Sequence, residues 1–78
     1  MASVRIGLDG GYEVSIIQDG NKRVECALIN PEGDITPFSS QLYQEPEDVH
    51  RGLTITKLIS LLSRANNYAL EGSFKCNR

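Results

Sequence analysis

The chain has 78 residues, 40 % of them apolar and 23 % charged, with eight basic and ten acidic side chains and a net charge of −2. One domain with one core fits that length, and a core of this size supplies roughly 3–5 kcal/mol of net stability, which leaves little to hold a strained catalytic centre. The charge balance argues against nucleic acid as a direct partner, because no basic cluster is present to displace phosphate counterions, and −2 is too small for an acidic mimic of nucleic acid.

Residues 1–38 carry a period-two pattern that strands explain. Val4, Ile6 and Leu8 share one face while Ser3, Arg5 and Gly7 share the other. After Asp9-Gly10-Gly11, Tyr12, Val14 and Ile16 resume the inner face. A three-residue loop pairs Leu8 with Tyr12, Ile6 with Val14 and Val4 with Ile16, and Gly11 suits a left-handed bulge position. Val24, Cys26 and Leu28 then face inward and Arg23, Glu25 and Ala27 outward. An odd-numbered loop after Asp19-Gly20-Asn21, pairing Ile16 with Val24 and Val14 with Cys26, keeps charge off the core. Asn30-Pro31-Glu32-Gly33-Asp34 reads as a turn, and Ile35 to Phe38 return as a short fourth strand that Pro37 confines to an edge.

Residues 39–52 read as a crossing loop with one helical turn after Pro46, ended by Gly52. From Thr54 or Thr56 as N-cap, Ile55, Leu58, Ile59, Leu62 and Ala65 recur at helical spacing. Leu61 widens that stripe, and Lys57 and Arg64 fall off it, toward water. Two readings stand for the remainder. The favoured one is a final strand over 68–76, in which Tyr68, Leu70, Phe74 and Cys76 alternate after an Asn66-Asn67 cap. The other is a helix running through Glu71 to a Gly72 cap. The expected fold is α+β: an antiparallel meander of three to four strands, one C-terminal helix packed on one face, and a final edge strand.

Chemistry-bearing residues are sparse. His50 is the sole histidine and is expected to be an exposed loop residue, since nothing beside it signals activation. Cys26 falls on the inner face of a central strand and reads as a core thiol. Cys76 lies near the chain end, a poor place to position a nucleophile. Two reduced thiols suit an intracellular address, with a Cys26–Cys76 bridge as the alternative. Cys26, His50 and Cys76 are too widely spaced for a zinc site, and the Asp-Gly turns lack the alternating ligands of a calcium loop. No metal, cofactor or catalytic residue is expected. No apolar run reaches the length of a membrane span, and Met1-Ala2-Ser3-Val4-Arg5 lacks a signal peptide's apolar stretch, so the expected location is the cytoplasm.

Ile6-Gly7-Leu8-Asp9-Gly10-Gly11-Tyr12-Glu13-Val14 resembles the first phosphate-binding hairpin of the actin, heat-shock chaperone and sugar-kinase ATPase superfamily, where an apolar strand ends in Asp-x-Gly. The resemblance implies Asp9 near a metal and Gly11 near phosphates. It covers about nine residues, no second phosphate motif or adenosine motif follows, and the family needs a far longer chain. A three-residue hairpin loop with glycine at the bulge accounts for the same residues.

The segment Leu42-Tyr43-Gln44-Glu45-Pro46-Glu47-Asp48 is the best candidate for recognition, because tyrosine beside carboxylates suits a basic, partly apolar protein surface. Its alternative role is a solvated connector whose Tyr43 covers the end of the core. The expected function is a small non-enzymatic protein-binding module, an inhibitor or adaptor that blocks a partner's surface through Tyr43, Glu45, Glu47 and Asp48. Compact acidic chains of this kind are common among phage and mobile-element proteins, anti-CRISPR proteins included, although no motif places this chain among them. The alternatives are a homodimeric structural or regulatory subunit, prompted by exposed strand edges and a marginal core, and a small enzyme or ligand-binding domain using His50, Asp9 or Cys76; Ile17, Ile29 and Ile35 point outward on the sheet, with Ile17 at the opposite end from the other two.

Overall fold

The computed structural model describes residues 3–18, 20, 22–39, 43 and 45–76, with side chains described as far as Glu71. Five strands, β1 (Ser3–Gly7), β2 (Glu13–Gln18), β3 (Val24–Ile29), β4 (Ile35–Thr36) and β5 (His50–Leu53), precede one helix, α1 (Ile55–Cys76). All strand pairings are antiparallel, in the order β1-β2-β3-β4, with β5 also on β3. The α+β meander is therefore present, and its fifth strand is β5, before the helix, and not the expected final strand after it.

The first hairpin has the expected register, Val4 opposite Ile16 and Ile6 opposite Val14. Its turn, Asp9–Gly11, is a tight turn in which Gly10 and Gly11 take φ of 72° and 84°, angles that a β-carbon disfavours. The second hairpin keeps the expected parity and shifts by two residues: Ile16 faces Cys26 and Val14 faces Leu28, in place of Val24 and Cys26. A two-residue shift leaves every side chain on its face, so patterning alone does not distinguish the registers. The longer connection between Gln18 and Val24, with Gly20 and Lys22 at positive φ, selects the observed one. At the next turn Asn30 Oδ1 accepts the amides of Glu32 and Asp34 at 3.1 and 2.9 Å, an Asx arrangement that returns the chain into β4.

Three expectations after residue 38 are corrected. Residues 45–49 form no helical turn; Glu47 instead bridges back to Phe38, and the chain enters β5. Gly52, expected to end that turn, lies inside β5 at φ 66°, beside the bulge between the Val24–Leu53 and Cys26–His50 pairs. The favoured final strand over 68–76 is absent, because α1 runs unbroken to Cys76, past the proposed cap at Asn66-Asn67 and past the alternative stop at Gly72. Leu58, Leu61, Leu62, Ala65 and Ala69 continue one helical stripe through the region that also alternated, and burial of that stripe outweighs the shorter pattern.

Thr54 caps the helix, its Oγ1 accepting the Lys57 amide at 3.3 Å. The core joins Val14, Cys26, Leu28, Phe38 and Leu53 of the sheet side to Leu61 and Ala65 of the helix. Ile55 and Ile59, placed on the buried stripe by spacing, are instead exposed, since the helix turns Leu58, Leu61 and Leu62 inward. Ala27, expected on the outer face, is buried. Helix contacts run to β3, to β5 and to the first turn, where the Tyr12 and Tyr68 rings meet edge to face at 6.2 Å. Val4 and Ile6 on β1 consequently remain exposed on the inner face.

Leu61→Ala is expected to cost about 2–5 kcal/mol, comparable to the whole stability of a domain this small, whereas Ile59→Ala costs less than about 0.5 kcal/mol. Urea unfolding followed by circular dichroism measures both, and equal losses would refute this division of the helix faces.

Candidate functional site

The fourth and fifth strands share one edge of β3. β4 pairs with Leu28 and Ile29, while β5 pairs with Val24 and Cys26 farther along. The chain between them must leave the sheet and come back to the same edge, and this excursion is closed at its base. That closure is the Phe38–Glu47 bridge, in which the Phe38 amide donates to the Glu47 carbonyl at 3.3 Å and the Glu47 amide donates to the Phe38 carbonyl at 3.1 Å.

His50 completes the closure. Expected as an exposed loop residue, it is 3 % exposed at the start of β5. Its Nε2 lies 3.0 Å from the Phe38 carbonyl oxygen, its Nδ1 lies 3.3 Å from Glu47 Oε2, and its ring stacks at a tilt on Phe38 with centroids 4.7 Å apart. Both ring nitrogens thus face acceptors. A neutral imidazole has one N–H and can satisfy only one of them, whereas the imidazolium donates to both. Next in the strand, Arg51 donates to Glu25 Oε1 at 3.0 Å and ties β5 to β3 on the solvent side.

The recognition candidates divide into two groups on this frame. Tyr43 is 95 % exposed, so it does not cover the end of the core, and Glu45 and Asp48 are also exposed. Glu47 is exposed too, yet its backbone forms the bridge and its carboxylate meets His50. Leu42 and Gln44, named with them from sequence, lie outside the described residues.

Between the loop and the first half of α1 runs a broad groove of about 1090 Å³. His50, Leu53 and Leu61 contribute its buried lining, Glu45 and Glu47 line one part, and Arg51, Lys57 and Arg64 line another together with Thr56, Ser60 and Ser63. The carboxylates were legible in the sequence. The basic helix face opposite them was not, because only the return of β5 to β3 sets α1 beside the loop.

Asp9 and His50, named for the alternative chemistry, sit on separate elements, the first turn and β5. Asp9 sits on the exposed first turn, and Gly11 abuts Pro31, whose Cβ would lie 3.4 Å from an added methyl. Asp9 lies on the first turn outside the strands, whereas His50 and Cys26 are register partners on β5 and β3. Cys26 is a free thiol in the core, and burial pushes it up to about 11, which keeps it neutral and unreactive near pH 8. The side chain of Cys76 lies outside the described set. Among the described residues no group of three His, Cys, Asp or Glu side chains is placed to hold a metal ion, and no helix is long and apolar enough to cross a membrane. Comparison with known proteins matches the chain to no family model, no curated protein and no solved structure.

Two outcomes follow from this geometry. His50→Ala removes the ring donor to the Phe38 carbonyl and is expected to lower stability by about 1–3 kcal/mol. Hydrogen exchange should accelerate at the Phe38 and Glu47 amides more than at the β1–β2 amides, and uniform acceleration would show that His50 does not hold the loop base. In a Cys76→Ser background, Cys26 should resist a thiol reagent at pH 8 in the folded state and react within the mixing time in denaturant. Rapid reaction under native conditions would contradict its burial.

Proposed function

We propose that the chain is a small non-enzymatic protein-binding module that acts as an inhibitor or adaptor by covering a basic, partly apolar surface of another protein. The observation that carries this reading is the placement of Tyr43, almost wholly exposed, with Glu45 and Asp48 on a loop whose base is fastened by Phe38, Glu47 and His50. An exposed tyrosine provides apolar contact area of the kind enriched at protein interfaces, and the flanking carboxylates provide charge complementarity around it. Fastening the base reduces the entropy lost when the loop docks.

The groove supports the same reading. Its lining carries both acidic and basic side chains on a largely polar surface, unlike the mostly apolar concavity that encloses a small substrate. Small size and modest acidity are also the features shared by many phage and mobile-element inhibitors, and an inhibitor of that type is the form of the function we favour.

Glu47 should be left intact in the decisive test, because its loss would disturb the loop base and the surface at once. A Tyr43→Ala, Glu45→Lys double variant is expected to fold as the parent does and to lose a stoichiometric partner that the parent captures from host extract. Retention of that partner by the folded variant would overturn the proposal.

A further inference from the structure

We propose that two copies of the chain associate through β1, edge to edge and antiparallel, about a two-fold axis at Ile6. The β1 edge differs from the opposite edge of the sheet. That opposite edge is broken into β4, of two residues, and β5, which bends at Gly52. β1 is regular over five residues, contains no proline or bulge, and pairs only with β2 among the described residues. Its outward-facing backbone groups form a template for another strand.

The direction of the amides fixes which residues pair. Leu8 donates its amide to the Tyr12 carbonyl at 2.7 Å, so the even-numbered residues of β1 point their backbone groups toward β2. Ser3, Arg5 and Gly7 point theirs outward. The exposed apolar residues Val4 and Ile6, 55 % and 41 % exposed, lie on the inner face and are the side chains a second copy would cover.

Charge then selects among the registers. A two-fold axis at Arg5 sets that arginine opposite its own copy, which is repulsive. An axis at Val4 leaves Ile6 without a partner inside the strand. An axis at Ile6 pairs Arg5 with Gly7 of the second copy, Ile6 with Ile6, and Val4 with Leu8, so the apolar residues of the inner face all meet apolar residues. Gly7 has nothing within 4 Å of the space a β-carbon would fill. Beyond it, across one further strand spacing, stands Glu13, its partner on β2. Two strand spacings are about 10 Å, within the combined reach of an arginine and a glutamate side chain. Arg5 of each copy therefore passes over Gly7 of the other to reach its Glu13. Within one chain the Arg5–Glu13 contact is long, 3.9 Å, between two exposed side chains, which leaves both free to exchange partners.

Sedimentation equilibrium of the full chain up to millimolar concentration tests the proposal, with circular dichroism confirming that each variant folds. The parent should show a monomer–dimer equilibrium. Arg5→Glu and Glu13→Arg, each alone, should weaken self-association by about tenfold or more, since two attractive pairs become repulsive. An equimolar mixture of the two variants should restore association to the parent level, because both cross-copy pairs are then opposite in charge while each chain keeps its internal repulsion. A parent that stays monomeric, a dimer indifferent to the single variants, or a mixture without rescue would each overturn the proposal.

Discussion

The Phe38 carbonyl oxygen is the point on which the second half of the molecule depends. It lies within hydrogen-bonding distance of both the Glu47 amide and the His50 ring, and so joins the last residues before the loop to the first residues after it. A carbonyl at a buried position must find donors or pay a desolvation cost of a few kcal/mol, and here the donors come from the far end of a long excursion. Once they are in place, β5 lies along the free half of β3, and Leu53 and Leu61 can close the core over Cys26. Without them the helix would have no fixed starting point, because Thr54, its cap, directly follows β5.

The first half of the molecule obeys simpler constraints. Two hairpins built on alternating side chains and glycine-bearing turns establish β1 to β3, and the Asn30 side chain turns the chain into β4. These contacts are close in sequence and depend on residues whose conformational preferences are strong. The two halves meet along β3, which among the described residues is the strand with neighbours from both.

That contrast explains what was legible in the sequence. The alternation of Val4 to Leu8 against Tyr12 to Ile16 settled the first hairpin, and the threonines Thr54 and Thr56 announced the start of the helix, of which Thr54 is the cap. β5 was hidden because its buried residues, His50 and Leu53, are three apart; the bulge at Gly52 breaks the period-two signal, and a histidine carries little hydrophobic weight. The end of the helix was misread because Tyr68, Leu70, Phe74 and Cys76 fit a period of two as well as they extend a helix, and only the packing of Ala65 and Ala69 separates the patterns. The acidic loop was visible as composition. Its fastening at Glu47 and His50 and the basic helix face across the groove are products of tertiary pairing between residues far apart in sequence.

The closed base of the loop also separates two things that proteins often have to change together. Because Phe38 and Glu47 are tied to each other and to His50, the segment between them can vary in length and chemistry with little consequence for the sheet. Doubling a flexible loop adds only about 0.6 kcal/mol of closure entropy. The fold therefore carries an exposed tip, Tyr43 included, on a separately fastened mount, so that chemistry at the tip can change while the packing below it stays the same.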